Sequence, residues 1–349
     1  YCFNKKERHQ RNSNKSNRIL SKDKIIEVLK EFKDMNGTKV IFTGGEPMLN
    51  NELVEICKAA KELELQPQFI TNGTLLNSFD IEKLSECVDS ITISLDSVVE
   101  EELEILWGKS DVKLENGIFA GLDKLNEFSS SKKRMTVIIK PIVSAVNIGS
   151  LDKLVSVISE KLSNCKVFWA MTQFDKIDDD KTDNLLSITE ADYIKSVSQS
   201  LRNHYLSSSN KDNNSIDTAK EINNRINVFS FGHGGRFIPP TSPNLLTCNP
   251  SFFIAGNGDV FPCQCFDNED YKLGNVYSDS LAVLFENEIF KNLRSKLPVS
   301  KMNEVSCLKC EFRYLCTNKM GPCAVNKYKD RTNCRQTNIR KLYLQTQIG

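Results

Sequence analysis

Lys39-Val40-Ile41-Phe42-Thr43-Gly44-Gly45-Glu46-Pro47 is a short apolar run, rich in β-branched and aromatic residues, that ends in two glycines, an acid and a proline. A run of this length bounded by breakers reads as a buried strand, and the glycine pair as the loop at its carboxyl end. Two later runs close on similarly polar tips, one on Thr71-Asn72-Gly73 and the other on Ser94-Leu95-Asp96. Strands are expected at residues 39–43, 68–71, 90–95, 135–143 and 166–171. Between them apolar residues recur at helical spacing: Ile25, Val28, Leu29 and Phe32; Leu53, Ile56, Cys57 and Ala60; Ile81, Leu84 and Val88; Leu151, Leu154, Val155 and Ile158. Strands alternating with amphipathic helices predict an α/β fold around a parallel sheet, the helices covering one face. Ligands of such folds bind at the carboxyl ends of strands, so the three tips are expected to share one cavity.

A further helix is expected over 189–205. The stretch 206–217 (LSSSNKDNNSID) has no apolar period and reads as a solvated linker, which places a domain boundary there. Beyond it the chain is mostly loops, with many glycines and prolines between Phe229 and Leu246, and metal sites are the expected source of its stability. Gly256-Asn257-Gly258-Asp259, between Phe252-Phe253-Ile254 and Val260-Phe261, predicts a β-hairpin.

The 349 residues are enough for one large domain and a smaller one. Lysine and arginine number 46 against 45 acidic residues, so the net charge of +1 offers no global field for nucleic acid or an anionic membrane. No window approaches the roughly 18 apolar residues of a membrane span, and no signal peptide is visible. Twelve cysteines without a signal peptide argue for reduced, metal-binding thiolates in a cytoplasm rather than for disulfides.

Eight of those cysteines lie between Cys248 and Cys334. Cys307 and Cys310 form a C-x-x-C pair, Cys316 follows after five residues, Cys323 after six more and Cys334 after ten. The expected hairpin brings Cys248 and Cys263 towards each other, and Cys265 stands two positions on. These residues alone leave structural zinc and iron-sulfur clusters both open. Cys57, Cys87 and Cys165 occupy helix or strand positions singly and read as small buried hydrophobes. The histidines His9, His204 and His233 lack metal-ligand spacing. Trp107 reads as a packing residue, and Trp169 either packs or faces the sheet's interior side.

Tyr1-Cys2-Phe3, Gly44-Gly45-Glu46-Pro47, Thr71-Asn72-Gly73 and Ser94-Leu95-Asp96, in that order, resemble the radical S-adenosylmethionine (SAM) enzymes. The later cysteines, with Leu273-Gly274-Asn275-Val276 and a helix expected over 281–293, resemble the SPASM extension of peptide- and protein-modifying members. The resemblance implies a partial (β/α)6 barrel over 1–205, lacking its first strand in this chain. A bridging region over 206–247 and a loop-rich, cysteine-rich SPASM domain over 248–349 complete it. Cys2 matches the last of three cysteines that hold a four-iron cluster; the other two, and the first strand, are expected upstream of Tyr1. Gly44 and Gly45 would let the backbone approach SAM, Glu46 would pair with its ammonium group, and Pro47 would stiffen the turn. Asn72, Ser94 and Asp96 stand either as SAM contacts or as turn and cap residues. By resemblance, Cys307, Cys310, Cys316 and Cys334 hold a distal auxiliary four-iron cluster, and Cys248, Cys263 and Cys323 a nearer one. Cys323 departs from the family spacing, and either Cys265 completes the nearer cluster or an open iron there is left for a substrate thiolate or a solvent molecule.

The implied chemistry is reductive cleavage of SAM, with an electron from an external donor, and hydrogen abstraction from a peptide or protein substrate. Maturation of a ribosomally made peptide through a side-chain crosslink such as a thioether is the favoured reading. An anaerobic sulfatase-maturing enzyme is the alternative, although Gln264 stands where that group carries an aspartate. A noncatalytic protein stabilised by zinc or clusters is the other class.

Overall fold

The computed structural model describes residues 19–174, 186–209, 252–262 and 269–290. These fall into two compact units.

The first unit is the expected parallel α/β sheet. Its strands are β1 (Lys39–Phe42), β2 (Gln66–Thr71), β3 (Ser90–Ile93), β4 (Thr136–Ile139) and β6 (Lys166–Trp169), hydrogen-bonded in the order β1-β2-β3-β4-β6. All four pairings are parallel. Register aligns Phe42 with Phe69, Phe69 with Ile91, Ile91 with Val137 and Val137 with Val167. The face carrying these residues, and Thr71, Ile93, Ile139 and Trp169 one step on, is the more deeply buried. It looks towards the helices: a Cβ placed on Gly73 would lie 3.2 Å from Ile93 and 3.6 Å from both Ile118 and Leu76. Ile70, Ile138 and Phe168, on the opposite face, are half-buried, and Ile41 there is exposed. Trp169 therefore packs on the helix side. Its Nε1–H has no acceptor among the described residues.

The expected strand over 135–143 is two pieces. Pro141 has no N–H to donate, and the chain re-forms as β5 (Ile142–Val143), which pairs in parallel with β7 (Thr172–Gln173).

The helices follow the apolar spacing. Numbering from α1 (Lys22–Asp34), α2 (Leu53–Glu62) buries Leu53, Ile56, Cys57 and Ala60, and α3 (Ile81–Cys87) starts at an Asp80 cap and buries Ile81 and Leu84. Two helices that apolar spacing left unplaced follow: α4 (Glu100–Trp107) and α5 (Ala120–Ser131), the latter entered through a π turn at Glu115–Phe119. In α6 (Leu151–Lys161) Leu151, Leu154, Val155 and Ile158 are all buried. Cys57 and Cys87 are buried, the Cys87 thiol donating to the Leu84 carbonyl at 3.2 Å, and the Cys165 thiol lies 3.1 Å from Ser129 Oγ, as befits packing residues.

α7 (Glu190–Ser209) packs on α6. Its Tyr193 is fully buried and donates to the Met171 carbonyl at 2.9 Å. Burial pushes the phenol well above its ordinary range. Tyr193 thus keeps its proton in the folded state at pH values where the unfolded chain, with a tyrosine pKa of about 10, has released it. Stability is expected to be flat below that pH and to fall as pH rises beyond it. A Tyr193→Phe variant titrated in urea from pH 8 to 11 should show a shallower alkaline loss, beneath the constant penalty of the missing hydrogen bond.

The second unit contains the hairpin β8 (Phe253–Ile254) and β9 (Asp259–Phe261), joined by β10 (Gly274–Asn275) in a three-stranded antiparallel sheet. Burial works to raise the Asp259 carboxyl, but Lys272 at 2.8 Å and the amides of Asn275 and Asn257 outweigh it and hold the pKa below the usual range. The expected helix over 281–293 begins as α8 (Leu281–Phe285) and is interrupted, because Asn287 Oδ1 accepts from Ile289 N and starts a new turn at 288–290. The helix α1 is a correction. Its apolar period was expected to cover the parallel sheet, yet Val28 belongs to the core of the second unit, with Val260, Leu273, Val276, Leu281, Leu284 and Phe290. Leu20 N donates to Gly256 O at 2.8 Å and Leu281 N to Glu31 Oε2 at 2.7 Å, fixing the helix there.

Candidate active site at the strand tips

The carboxyl ends of β1 and β2 are tied together by one side chain. Glu46, half-buried, caps the short 3-10 turn Pro47–Leu49 by accepting from Met48 N at 3.1 Å. The same oxygen, Oε1, accepts the Thr71 hydroxyl at 2.7 Å, and Oε2 accepts Asn72 N at 2.8 Å. Thr71 Oγ1 in turn accepts Gly73 N at 3.0 Å. Gly73, at φ +81°, turns the chain away from the strand where a side chain would press on Ile93. Asn72 Oδ1 receives both Thr74 N and Thr74 Oγ1, so its carbonyl builds the turn.

Gly44 and Gly45 stand open beside this carboxylate. Gly44 takes φ +127°, a conformation that strains other residues, and the space that a Cβ on either glycine would enter holds no atom within 4 Å. Pro47 occupies the first position of the turn, where its missing N–H costs nothing.

The β3 tip is reached through the backbone: Ser94 N donates to Thr71 O at 2.8 Å, leaving the half-buried Ser94 beside the β2 tip. Asp96 sits deeper, 2 % exposed, with Oδ1 accepting Ile142 N at 2.8 Å. Asn147 Nδ2 bonds the carbonyls of Asp96 and Ile142 at 2.6 and 2.9 Å, while its Oδ1 takes Ser144 N at 2.7 Å. This is a buried stitch between the β3 and β5 ends, and Asp96 is part of it. Glu102 adds a second stitch, its Oε2 accepting Ser97 and Ser150 hydroxyls. Thr71 and Asn147 escaped sequence reasoning as site-building residues. The hydroxyl ahead of Asn72 and the Ser144-x-x-Asn147 pattern were the available signals.

The structure therefore brings Gly44, Gly45, Glu46, Pro47 and Asn72 together, with Ser94 adjacent and Asp96 behind them. The expected metal ligands Cys2, Cys248, Cys263, Cys265, Cys307, Cys310, Cys316, Cys323 and Cys334 lie outside the described residues, as do His9 and His233. Within the described residues no group of three or more histidine, cysteine or acidic side chains is placed to hold a metal, and no helix is long and apolar enough to cross a membrane. His204, on α7, is half-buried and its pKa is lowered by burial.

Residues 1–139 match the radical SAM superfamily and residues 248–311 match SPASM, an iron-sulfur cluster-binding domain; together they cover more than half of the chain. A probable GTP 3′,8-cyclase of Archaeoglobus fulgidus is 28% identical over 147 residues, which is 42% of this chain and 47% of that protein. The chain thus spans about half the length of this curated relative. Native anSMEcpe with bound AdoMet and Kp18Cys peptide superposes with a TM-score of 0.58 at 19% identity, over 86% of this chain and 80% of its own. Streptococcus suis SuiB bound to precursor peptide SuiA gives 0.59 at 15%, over 86% and 64%. At these identities the likeness is one of fold.

A radical SAM domain implies SAM and a four-iron four-sulfur cluster, and a SPASM domain implies auxiliary iron-sulfur clusters. The strand tips fit the first of these ligands. The two glycines leave backbone open to an approaching molecule, and the carboxylate beside them keeps one acceptor direction on Oε2 for a cationic amine. The chain thus carries a radical SAM domain over residues 1–139 and a SPASM domain over residues 248–311.

Proposed function

We propose that this chain is the working part of a radical SAM enzyme that modifies a peptide or protein, most simply a maturase that closes a side-chain crosslink such as a thioether in a ribosomal peptide. The observation that carries this reading is the fold shared over 86% of the chain with two proteins whose structures were determined with peptide bound. On this reading the barrel would occupy 1–205 except for α1, whose core lies with the second unit, the bridging region 206–247 and the SPASM domain 248–349. Bound SAM, cleaved reductively, supplies a carbon-centred radical that abstracts hydrogen from substrate. The chain's own part is to hold the SAM ammonium at Glu46 and to present backbone at Gly44 and Gly45. Cys2 would be one ligand of the catalytic cluster. Cys307, Cys310, Cys316 and Cys334, and Cys248, Cys263, Cys323 and Cys265, would hold the auxiliary ones. An external donor in a reducing cytoplasm would deliver the electron. Neither nucleic acid nor a membrane takes part.

The test is anaerobic reconstitution of the full-length protein, with iron, sulfide and zinc counted and 5′-deoxyadenosine assayed after reduction with SAM. About twelve irons, from three four-iron clusters, with 5′-deoxyadenosine are expected. Zinc without sulfide, and intact SAM, would remove the radical reading. Likeness to anSMEcpe favours sulfatase maturation as the second reading. Candidate peptides from neighbouring genes separate the two. A crosslink keeps its sulfur and loses two hydrogens, whereas formylglycine carries an aldehyde that a hydrazide labels.

A further inference from the structure

We infer that Thr71 is a positioning residue for SAM, acting through Glu46. The inference rests on the reading of the strand tips as the SAM site. An ionised carboxylate offers about four acceptor directions. On Glu46 the Thr71 hydroxyl and Met48 N take both directions of Oε1, and Asn72 N takes one of Oε2. A single direction is left, and the carboxylate cannot rotate to present another without breaking a bond.

The bond from Thr71, 2.7 Å to a charged acceptor, is the one of the three made by a side chain, so it can be removed without touching the backbone. Thr71 itself is 1% exposed, on the helix side of the sheet, so it cannot touch a ligand at the tips. Its one hydroxyl hydrogen has two acceptors in reach, Glu46 Oε1 and Met48 Sδ at 3.3 Å. A thioether is a weak acceptor, so the carboxylate takes it. The oxygen's lone pair is meanwhile used by Gly73 N, so one hydroxyl orders both the carboxylate and the turn after it. Without it, a half-buried glutamate would swing through several rotamers, and SAM binding would have to select the competent one.

The experiment is SAM titration by isothermal calorimetry, into millimolar range, on the anaerobically reconstituted full-length protein, with thermal unfolding recorded for each variant. Thr71→Val, which keeps shape and removes the hydroxyl, is expected to weaken SAM binding about tenfold. It should raise KM for SAM in 5′-deoxyadenosine formation with little change in kcat. Thr71→Ser should restore binding to within about twofold of wild type, and on a Glu46→Ala background Thr71→Val should cost less than about twofold. Thr71→Ala replaces valine, under the same threshold, if valine unfolds the barrel. Binding by the hydroxyl-free variant within about twofold of wild type would overturn the inference. So would serine failing as valine does, or an undiminished cost in the absence of Glu46. A wild-type protein that takes up its clusters yet binds no SAM overturns the site reading itself, and this inference with it.

Discussion

Glu46→Ala is expected to lower SAM affinity about a hundredfold or more while leaving the barrel folded. Two losses combine. The ammonium of SAM loses its counter-charge, and the tips of β1 and β2 lose the side chain that joins them, leaving Met48 N, the Thr71 hydroxyl and Asn72 N without their acceptor. Each orphaned donor costs about 1–3 kcal/mol when buried, as on Met48 and Thr71, and less on the half-buried Asn72. Glutamine will not rescue the site. Its amide nitrogen must face either Asn72 N–H or the Thr71 and Met48 donors, and in both orientations donor meets donor. SAM titration and 5′-deoxyadenosine yield check both variants; a Glu46→Gln protein with wild-type affinity would show that charge and acceptor geometry are unimportant here.

Gly121→Ala is expected to cost about 2–3 kcal/mol of stability and to lower Tm by roughly 5–10 °C. An added Cβ would stand 2.5 Å from Leu76 Cβ and 3.2 Å from Asn77 N. Neither atom is the end of a flexible chain, and Leu76 is fully buried, so α5 or the turn at Leu76–Ser78 must move. Alanine's better helix propensity returns only about 0.5–1 kcal/mol. The turn follows Thr71-Asn72-Gly73 directly, so the displacement should also loosen SAM binding. Differential scanning calorimetry beside SAM titration tests both; an unchanged Tm would mean that α5 shifts freely.

The sheet was legible because Phe42-Thr43-Gly44, Thr71-Asn72-Gly73 and Ser94-Leu95-Asp96 each couple an apolar run to a polar stop. Helical period marked the buried face of α2 and α6 residue by residue. For α1 the same signal named the face but not its partner, since periodicity records that Val28 is covered and not by what. Short α4 buries only Leu103 and Leu106, and Gly117 and Gly121 break the period around the start of α5, so neither helix stood out. At the site, Glu46 was visible from its motif. Thr71 was not, because its hydroxyl acquires meaning only when β2 pairs with β1 and sets it beside a carboxylate 25 positions earlier. Asp96 was visible as a polar tip residue, but its commitment to the backbone of Ile142 depends on where β4 gives way to β5.

The placement of α1 also has a consequence for biosynthesis. The bond between Glu31 and Leu281 closes a separation of 250 residues. At about 5–20 residues per second, a ribosome needs roughly 10–50 s to deliver the second partner after the first. Throughout that interval Val28 lacks the neighbours that cover it in the finished protein. Chaperone demand should accordingly be greatest for this helix, which is made long before its cover. A nonsense codon before residue 280 would do its damage far upstream of itself.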